Sequence, residues 1–248
     1  MRSDITNDQW RQIYDDFMDK STVNGQYREV LSFNFEFDPV TDYAMSNQKA
    51  LFNPKKAAAM YFWYKSAEAY DDSIIKYFPE YEKCIDEHHP RFNSNYGIYA
   101  YAKGGLRFCI DELVVNHKSR RACFCINSND VCLDDKEIDK LCTNTIHFFI
   151  RNAKLHMIVQ MRSSNFITLL PYDAFMFSVF YYQVYKALKE HHELLMTGKI
   201  HMQIASAHYW YVDVCNLYMN NNGKINEDII DYDKDIRHLE HKLKKYLA

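Results

Sequence analysis

Chain-breaking residues are scarce in this sequence, with 6 glycines and 5 prolines among 248 residues. A collagen-like or low-complexity chain is thereby excluded. No Gly/Ser-rich or Pro-rich linker interrupts it, so one domain over residues 1–248 is expected. No two cysteines have the C-x2-C spacing that closes a zinc loop, and no metal site is expected. The cysteines number seven, an odd count: Cys84, Cys109, Cys123, Cys125, Cys132, Cys142 and Cys215. The segment Met1–Lys20 is polar and acidic and lacks an apolar core. A reduced, cytoplasmic setting (the host cytoplasm, if the chain is viral) is therefore expected rather than a disulfide framework. Long apolar runs are missing too. The most apolar stretch, Ala174–Leu188, is too short and too interrupted to cross a bilayer, so no membrane partner is expected. A net charge of −3, from 33 acidic and 30 basic residues, provides no general field for nucleic acid. None is expected as a partner, although a local phosphate pocket is compatible with that charge.

What the chain has instead is aromatic mass, with 20 Tyr and 16 Phe. Trp10, Ile13, Tyr14 and Phe17 recur at helical spacing and predict a helix over Asp4–Asp19. Alternation over Glu29–Phe37 predicts a strand with Leu31, Phe33, Phe35 and Phe37 on one face. Asn53 followed by Pro54 opens a helix expected to run to Tyr70. A further helix is expected over Leu106–His117 and a strand over Ala122–Asn127, with Cys123 and Cys125 packed on one face. Thr145–Arg151 and Leu155–Arg162 flank the turn Asn152-Ala153-Lys154 and predict an antiparallel hairpin. Ala174–His192 is apolar on nearly every side and marks a buried central helix. Ile200–Ala207 reads as a strand, Asn220–Gly223 as a loop and Tyr232–Tyr246 as mostly helical. The sum is an α+β chain, with a mixed or mostly antiparallel sheet packed on the central helix.

Six islands carry possible chemistry: Asn93-Ser94-Asn95-Tyr96-Gly97, Ser119-Arg120-Arg121, Cys142-Thr143-Asn144-Thr145, Met161-Arg162-Ser163, Pro171-Tyr172-Asp173 and Ser206-Ala207-His208. In order and spacing they resemble the thymidylate synthase superfamily, and most of all its phage deoxycytidylate hydroxymethylase branch. The resemblance covers roughly Trp63 to His208, with a weaker echo at Tyr246-Leu247-Ala248. It implies a thymidylate synthase-like fold and a sheet-to-sheet homodimer with shared active sites. The implied reaction is one-carbon transfer to C5 of a pyrimidine monophosphate, dCMP or CMP, with 5,10-methylenetetrahydrofolate as cofactor and 5-hydroxymethyl-dCMP as product.

Residue by residue, the resemblance makes Cys142 the nucleophile that adds to C6 of the base, activated by neighbouring guanidinium groups. Arg162 and Ser163 would hold the phosphate from within the subunit. Arg120 and Arg121 would reach the partner's phosphate across the dimer. Asp173 stands where thymidylate synthases have Asn. A carboxylate there accepts from the cytosine amine, so it favours cytosine over uracil. The same residue could instead cap the helix that follows it. His208 would bond the sugar hydroxyl, with Trp210 in place of the family's Tyr, and His147 stands where many relatives have Gln. On the folate side the chain departs from the pattern. Met60, one turn before Trp63, replaces the family's Glu, Asn165 replaces an Asp and Leu169 replaces a Gly. Glu68 and Glu36 are other acids that could serve instead. Two rival readings follow: a cytidylate C5-modifying enzyme with a different electrophile, and a nucleotide-binding pseudoenzyme.

Overall fold

The computed structural model describes residues 8–44, 52–213, 230 and 232–248. Cys215, the Asn220–Gly223 loop and the first residues of the N-terminal helix expected from Asp4 lie outside them. The elements run α1 (Asp8–Lys20), β1 (Thr22–Asn24), β2 (Tyr27–Phe37), α2 (Pro54–Ser66), α3 (Gly105–Val115), β3 (Cys123–Cys125) and α4 (Asn129–Cys132). They continue with β4 (Thr143–Arg151), β5 (Lys154–Asn165), α5 (Leu170–Lys189), β6 (Met196–Trp210) and α6 (Ile236–Leu247). Two short 3-10 helices, Asp72–Lys76 and Pro79–Cys84, and one π turn, Ile98–Ala102, lie between α2 and α3.

The chain is α+β with a six-stranded mixed sheet of order β1-β2-β6-β5-β4-β3. β5 and β6 are parallel and the other pairs antiparallel. The parallel pair needs a crossover, and α5 supplies it. Strand alternation turns Ile146, Phe148, Ile150, Leu155, Met157, Val159, Ile200, Met202 and Ile204 inward, all buried. They share one core with α5, whose Phe175, Phe177, Phe180 and Tyr181 are fully buried. Each such side chain contributes about 1.5–3 kcal/mol by leaving water. Tyr181 fixes the register between helix and sheet, since its Oη donates to Leu155 O and accepts from Gly198 N, each at 2.8 Å. The opposite face of the sheet is polar and partly exposed. Across it the Thr145 hydroxyl donates to Gln160 Oε1 at 2.7 Å, and Gln160 Nε2 donates to Gln203 Oε1 at 3.0 Å.

Local chemistry explains the element ends. Asn53 Oδ1 accepts from Lys55 N and Lys56 N, with Pro54 at the first helical position, so α2 starts as expected. It stops four residues early, at Ser66, because Ala67 turns into the left-handed region (φ 53°). Glu68 is thus outside the helix and cannot substitute along it for a carboxylate at Met60. The hairpin turn has two residues rather than three: Asn152 and Ala153 both have positive φ, and Lys154 already pairs with Arg151. Leu31 is 71% exposed rather than part of the aromatic face. A left-handed backbone at Ser32 (φ 55°) breaks the alternation, so Val30 and Phe33 both point inward. Cys125 is exposed and Cys123 only half-buried, because β3 is a three-residue strand at the edge of the sheet.

The segment 92–97 closes the C-terminal end of α2. Asn95 Nδ2 donates to Trp63 O at 2.9 Å and Glu68 O at 3.1 Å, and Gly97 N donates back to Asn95 Oδ1. These bonds satisfy carbonyls that a helix end leaves without partners. A Cβ on Gly97 would lie 1.6 Å from Tyr64 O and 2.5 Å from Tyr64 C, so backbone must move to admit one. Gly97→Ala is expected to cost at least about 1–3 kcal/mol. A clear fall in thermal midpoint checks this, whereas an unchanged midpoint would mean that the two segments separate freely.

Candidate functional site

Four segment ends meet at one end of the sheet: the start of β4, the ends of β5 and β6, and the first turn of α5. Cys142 is the residue just before β4 and is half-buried. Its carbonyl accepts from Arg162 N at 2.8 Å. The Arg162 guanidinium turns back on the same loop, with Nε donating to Leu141 O at 2.7 Å and Nη2 to Lys140 O at 2.9 Å. On the other flank, Thr143 N donates to Tyr96 Oη at 3.3 Å. The loop that presents the thiol is therefore gripped from β5 and from the 92–97 segment.

The thiol is not activated in this state. Burial pushes the Cys142 thiol up to about 11; Arg162 opposes the shift, while Asp173 and Asp139 add to it. The expected activation by guanidinium groups is thus supplied by Arg162 alone, and burial with two carboxyls outweighs it. Asp173 is 9% exposed in the first turn of α5. The helix begins at Leu170 after Leu169, so the alternative capping role for Asp173 does not apply. Desolvation alone raises its carboxyl to about 7. Among the described residues no donor meets that carboxyl. The Tyr64, Tyr81 and Tyr96 hydroxyls are close enough to feel its charge.

Next to this pair, Ser163 Oγ lies 3.4 Å from His208 Nδ1, and Asn165 stands opposite His208 in the β5–β6 register. Phosphate and sugar candidates therefore adjoin. Tyr27 meets His208 edge-on at 6.4 Å between centroids and packs on Trp210 at 5.0 Å. Trp210 is 41% exposed. His147 lies on the polar face of the sheet, 3.2 Å from Thr145 Oγ1, away from the thiol loop.

Arg120 and Arg121 are exposed and stand apart. Arg120 lines a cavity of about 720 Å³ with His117, Lys118, Ile150, Arg151, Asn152 and Ala153. That is the far end of β4, which rises about 3.4 Å per residue, so roughly 24 Å separates Ile150 from Thr143. One chain cannot bring Arg120 and Arg162 to a single phosphate.

The folate-side residues are not drawn together around free polar groups. Met60 and Trp63 are buried at 1% and 2% exposure. Trp63 Nε1 is used on Asp71 O at 2.8 Å. Asn165 Nδ2 donates to Asp213 Oδ2 at 2.7 Å, and its Oδ1 accepts from Ile167 N and Thr168 N, which ends β5. Leu169 precedes α5 and packs, partly buried, against the core. A pterin needs several donors and acceptors. Beyond these bonds the four side chains offer one unused Asn165 Nδ2 N–H and no free oxygen or nitrogen acceptor, too little to fit a folate. Glu36 lies far along β2, paired with His201 at 3.2 Å, and is no replacement carboxylate.

Sequence reasoning did not single out Asp139, Tyr64, Tyr81 or Glu29 at this end of the molecule. Glu29 stands directly opposite His208 in the β2–β6 register, and its Oε1 accepts from Ser206 Oγ at 2.5 Å. Asp139 Oδ2 accepts from both Ser94 N and Ser94 Oγ at 2.7 Å. The Asn93–Gly97 island was the one available signal for the last of these contacts. Among the described residues no group of three His, Cys, Asp or Glu side chains is placed to hold a metal ion, and no helix is long and apolar enough to cross a membrane.

No protein-family model matches the chain. A stretch of 111 residues is 29% identical to the deoxycytidylate 5-hydroxymethyltransferase of Enterobacteria phage T4, covering 42% of this chain and 45% of that protein. The enzymes of the same name from Enterobacteria phages T2 and T6 match to the same extent. The match thus spans about half the length of these curated relatives, and the chain is similar, at a distance, to phage deoxycytidylate 5-hydroxymethyltransferases.

Proposed function

We propose that this protein transfers a one-carbon unit to C5 of a pyrimidine nucleoside monophosphate, with dCMP as substrate and 5-hydroxymethyl-dCMP as product. The supporting observation is the convergence of Cys142, Arg162 and Asp173 at one sheet end, beside Ser163 and His208. The similarity to phage enzymes whose name specifies that reaction points the same way.

In this reading the Cys142 thiolate adds to C6, an S–C6 bond forms, and the C5=C6 π pair moves onto C5. C5 then attacks a carbon electrophile at the oxidation level of formaldehyde. As the C5 proton leaves to solvent, the group that carried the carbon departs with its bonding pair and leaves an exocyclic methylene. Water adds to that methylene and loses a proton, the electron pair returns to C5, and the S–C6 bond breaks to restore the C5=C6 double bond. Arg162 releases its two carbonyl contacts to meet the phosphate, with Ser163 as second donor, and His208 faces the sugar. No step is routed through folate, because Asn165, Trp63, Leu169 and Met60 do not fit it. Their saturation favours the second reading, in which cytidylate is activated in the same way but another electrophile is used.

A homodimer belongs to the proposal for a geometric reason. The distance along β4 requires that any phosphate shared by Arg162 and Arg121 lie between two chains, and the polar sheet face is not covered by α5.

Asp173 supplies base choice. A carboxyl near 7 is partly neutral at physiological pH; its O–H can donate to N3 while its carbonyl accepts from the N4 amine. Asp173→Asn is expected to move the kcat/KM ratio from dCMP towards dUMP by about ten- to hundredfold, the equivalent of about 1–3 kcal/mol of buried hydrogen bonding. Competition between the two nucleotides, read as loss of tritium from C5, tests both substrate and residue. An unchanged ratio would remove Asp173 from base recognition.

A further inference from the structure

Asp139 is a buried carboxyl with no part in the chemistry above. It is 3% exposed, and among the described residues no lysine or arginine forms an ion pair with it. Its Oδ2 accepts two hydrogen bonds of 2.7 Å, both from Ser94, and its carbonyl accepts from Asn93 Nδ2 at 3.4 Å. Its own N–H donates to Glu137 Oε1 at 3.2 Å. Three residues later the chain reaches Cys142. The intervening carbonyls are taken by Arg162, and Thr143 N–H by Tyr96. The carbonyls before the thiol and the N–H after it are thus anchored, and two anchors, Ser94 and Tyr96, belong to the segment that closes α2. A buried carboxyl without an ion-pair partner is costly, and the two Ser94 hydrogen bonds offset part of that cost.

We propose that Asp139 is a positioning residue for Cys142: bolted to Ser94, it fixes the loop that presents the thiol and holds a carboxylate beside it. This rests on reading Cys142 as the nucleophile. Electrostatics agree with the geometry. The groups facing the thiol are Arg162 from β5, Asp173 from α5, Cys84 from the second 3-10 helix, Tyr96 and Asp139 itself. Arg162 alone favours the thiolate, whereas the two carboxyls oppose it. The Cys84 thiol is pushed up to about 12, first by burial and then by the Asp139 carboxylate, so that charge is felt on both cysteines.

The test is alkylation of Cys142 by iodoacetamide across pH 6–11 in the full chain, read peptide by peptide by mass spectrometry. Asp139→Asn keeps an acceptor for Ser94 but removes the charge. Its alkylation midpoint is expected to fall by about half to one pH unit, which makes Cys142 roughly three- to tenfold faster to alkylate at pH 8. An unchanged midpoint in a folded variant would overturn the proposal. Should Asp139→Asn fail to fold, Ser94→Ala carries the test, since it keeps the carboxylate and removes one donor. Its limiting alkylation rate at high pH is expected to rise at least about threefold as the loop loosens, and an unchanged rate would overturn the proposal. No nucleotide enters this assay. A shifted midpoint in a protein inert towards dCMP would leave the positioning role standing and sink the substrate assignment alone.

Discussion

Cys142→Ala is expected to abolish 5-hydroxymethyl-dCMP formation, lowering it by about 10³-fold or more, because no other described side chain can replace a nucleophile at C6. Cys84 sits in the same cluster, but its thiol is held protonated even more strongly, at about 12, by burial and the Asp139 carboxylate. It therefore gives no rescue. Nucleotide affinity should change little, since Arg162, Ser163, Asp173 and His208 bind without the sulfur. Product mass together with calorimetry on dCMP separates the two effects. Activity within tenfold of wild type would remove Cys142 from the mechanism, and lost binding would make it structural.

Mixing two inactive proteins is expected to restore activity. In the proposed dimer, Arg121→Ala removes a phosphate donor that each chain would lend to its partner, and Cys142→Ala removes the proposed nucleophile. After subunit exchange at equal amounts, half of the dimers are mixed, and each has one complete site of two. About a quarter of wild-type turnover should return. The reason lies in the length of β4, which keeps the Arg120–Arg121 end roughly 24 Å from Thr143. No recovery, or a monomer by light scattering, would contradict shared sites and leave the basic cavity at His117, Arg120 and Arg151 without a role in catalysis.

Periodicity made most of the fold legible. Trp10, Ile13 and Phe17 are buried as their spacing requires, and Asn53-Pro54 starts α2 where the capping chemistry says. The hairpin and the central helix were equally readable, from alternation and from all-round apolarity. The errors came from conformations that periodicity does not encode. A left-handed Ala67 ended α2 early, and a left-handed Ser32 turned Leu31 out to solvent. Asp173 matched the pattern of a helix cap, yet it sits one turn inside α5, where burial rather than hydrogen bonding sets its acidity.

Cys142, Arg162, Ser163 and His208, named from separate motif islands, come together at one sheet end. The Ser94–Asp139 tether joins residues 45 positions apart, and no local pattern marks such a pair. The same holds for Glu29 and Ser206, which meet only because β2 pairs with β6. The thiol's protonated state was also hidden. Its causes are burial and two carboxyls from separate elements, set against one arginine.

In the proposed reaction, addition of Cys142 to C6 of dCMP makes C5 basic enough to exchange its hydrogen with solvent before any carbon donor is needed. Proton NMR of dCMP in D₂O with the wild-type protein, without donor, tests that step directly. The H5 signal should disappear and H6 should collapse to a singlet, with Cys142→Ala leaving both unchanged. Persistence of H5 in dCMP, CMP and dUMP alike, under conditions where the nucleotide binds, would contradict nucleophilic activation at C6.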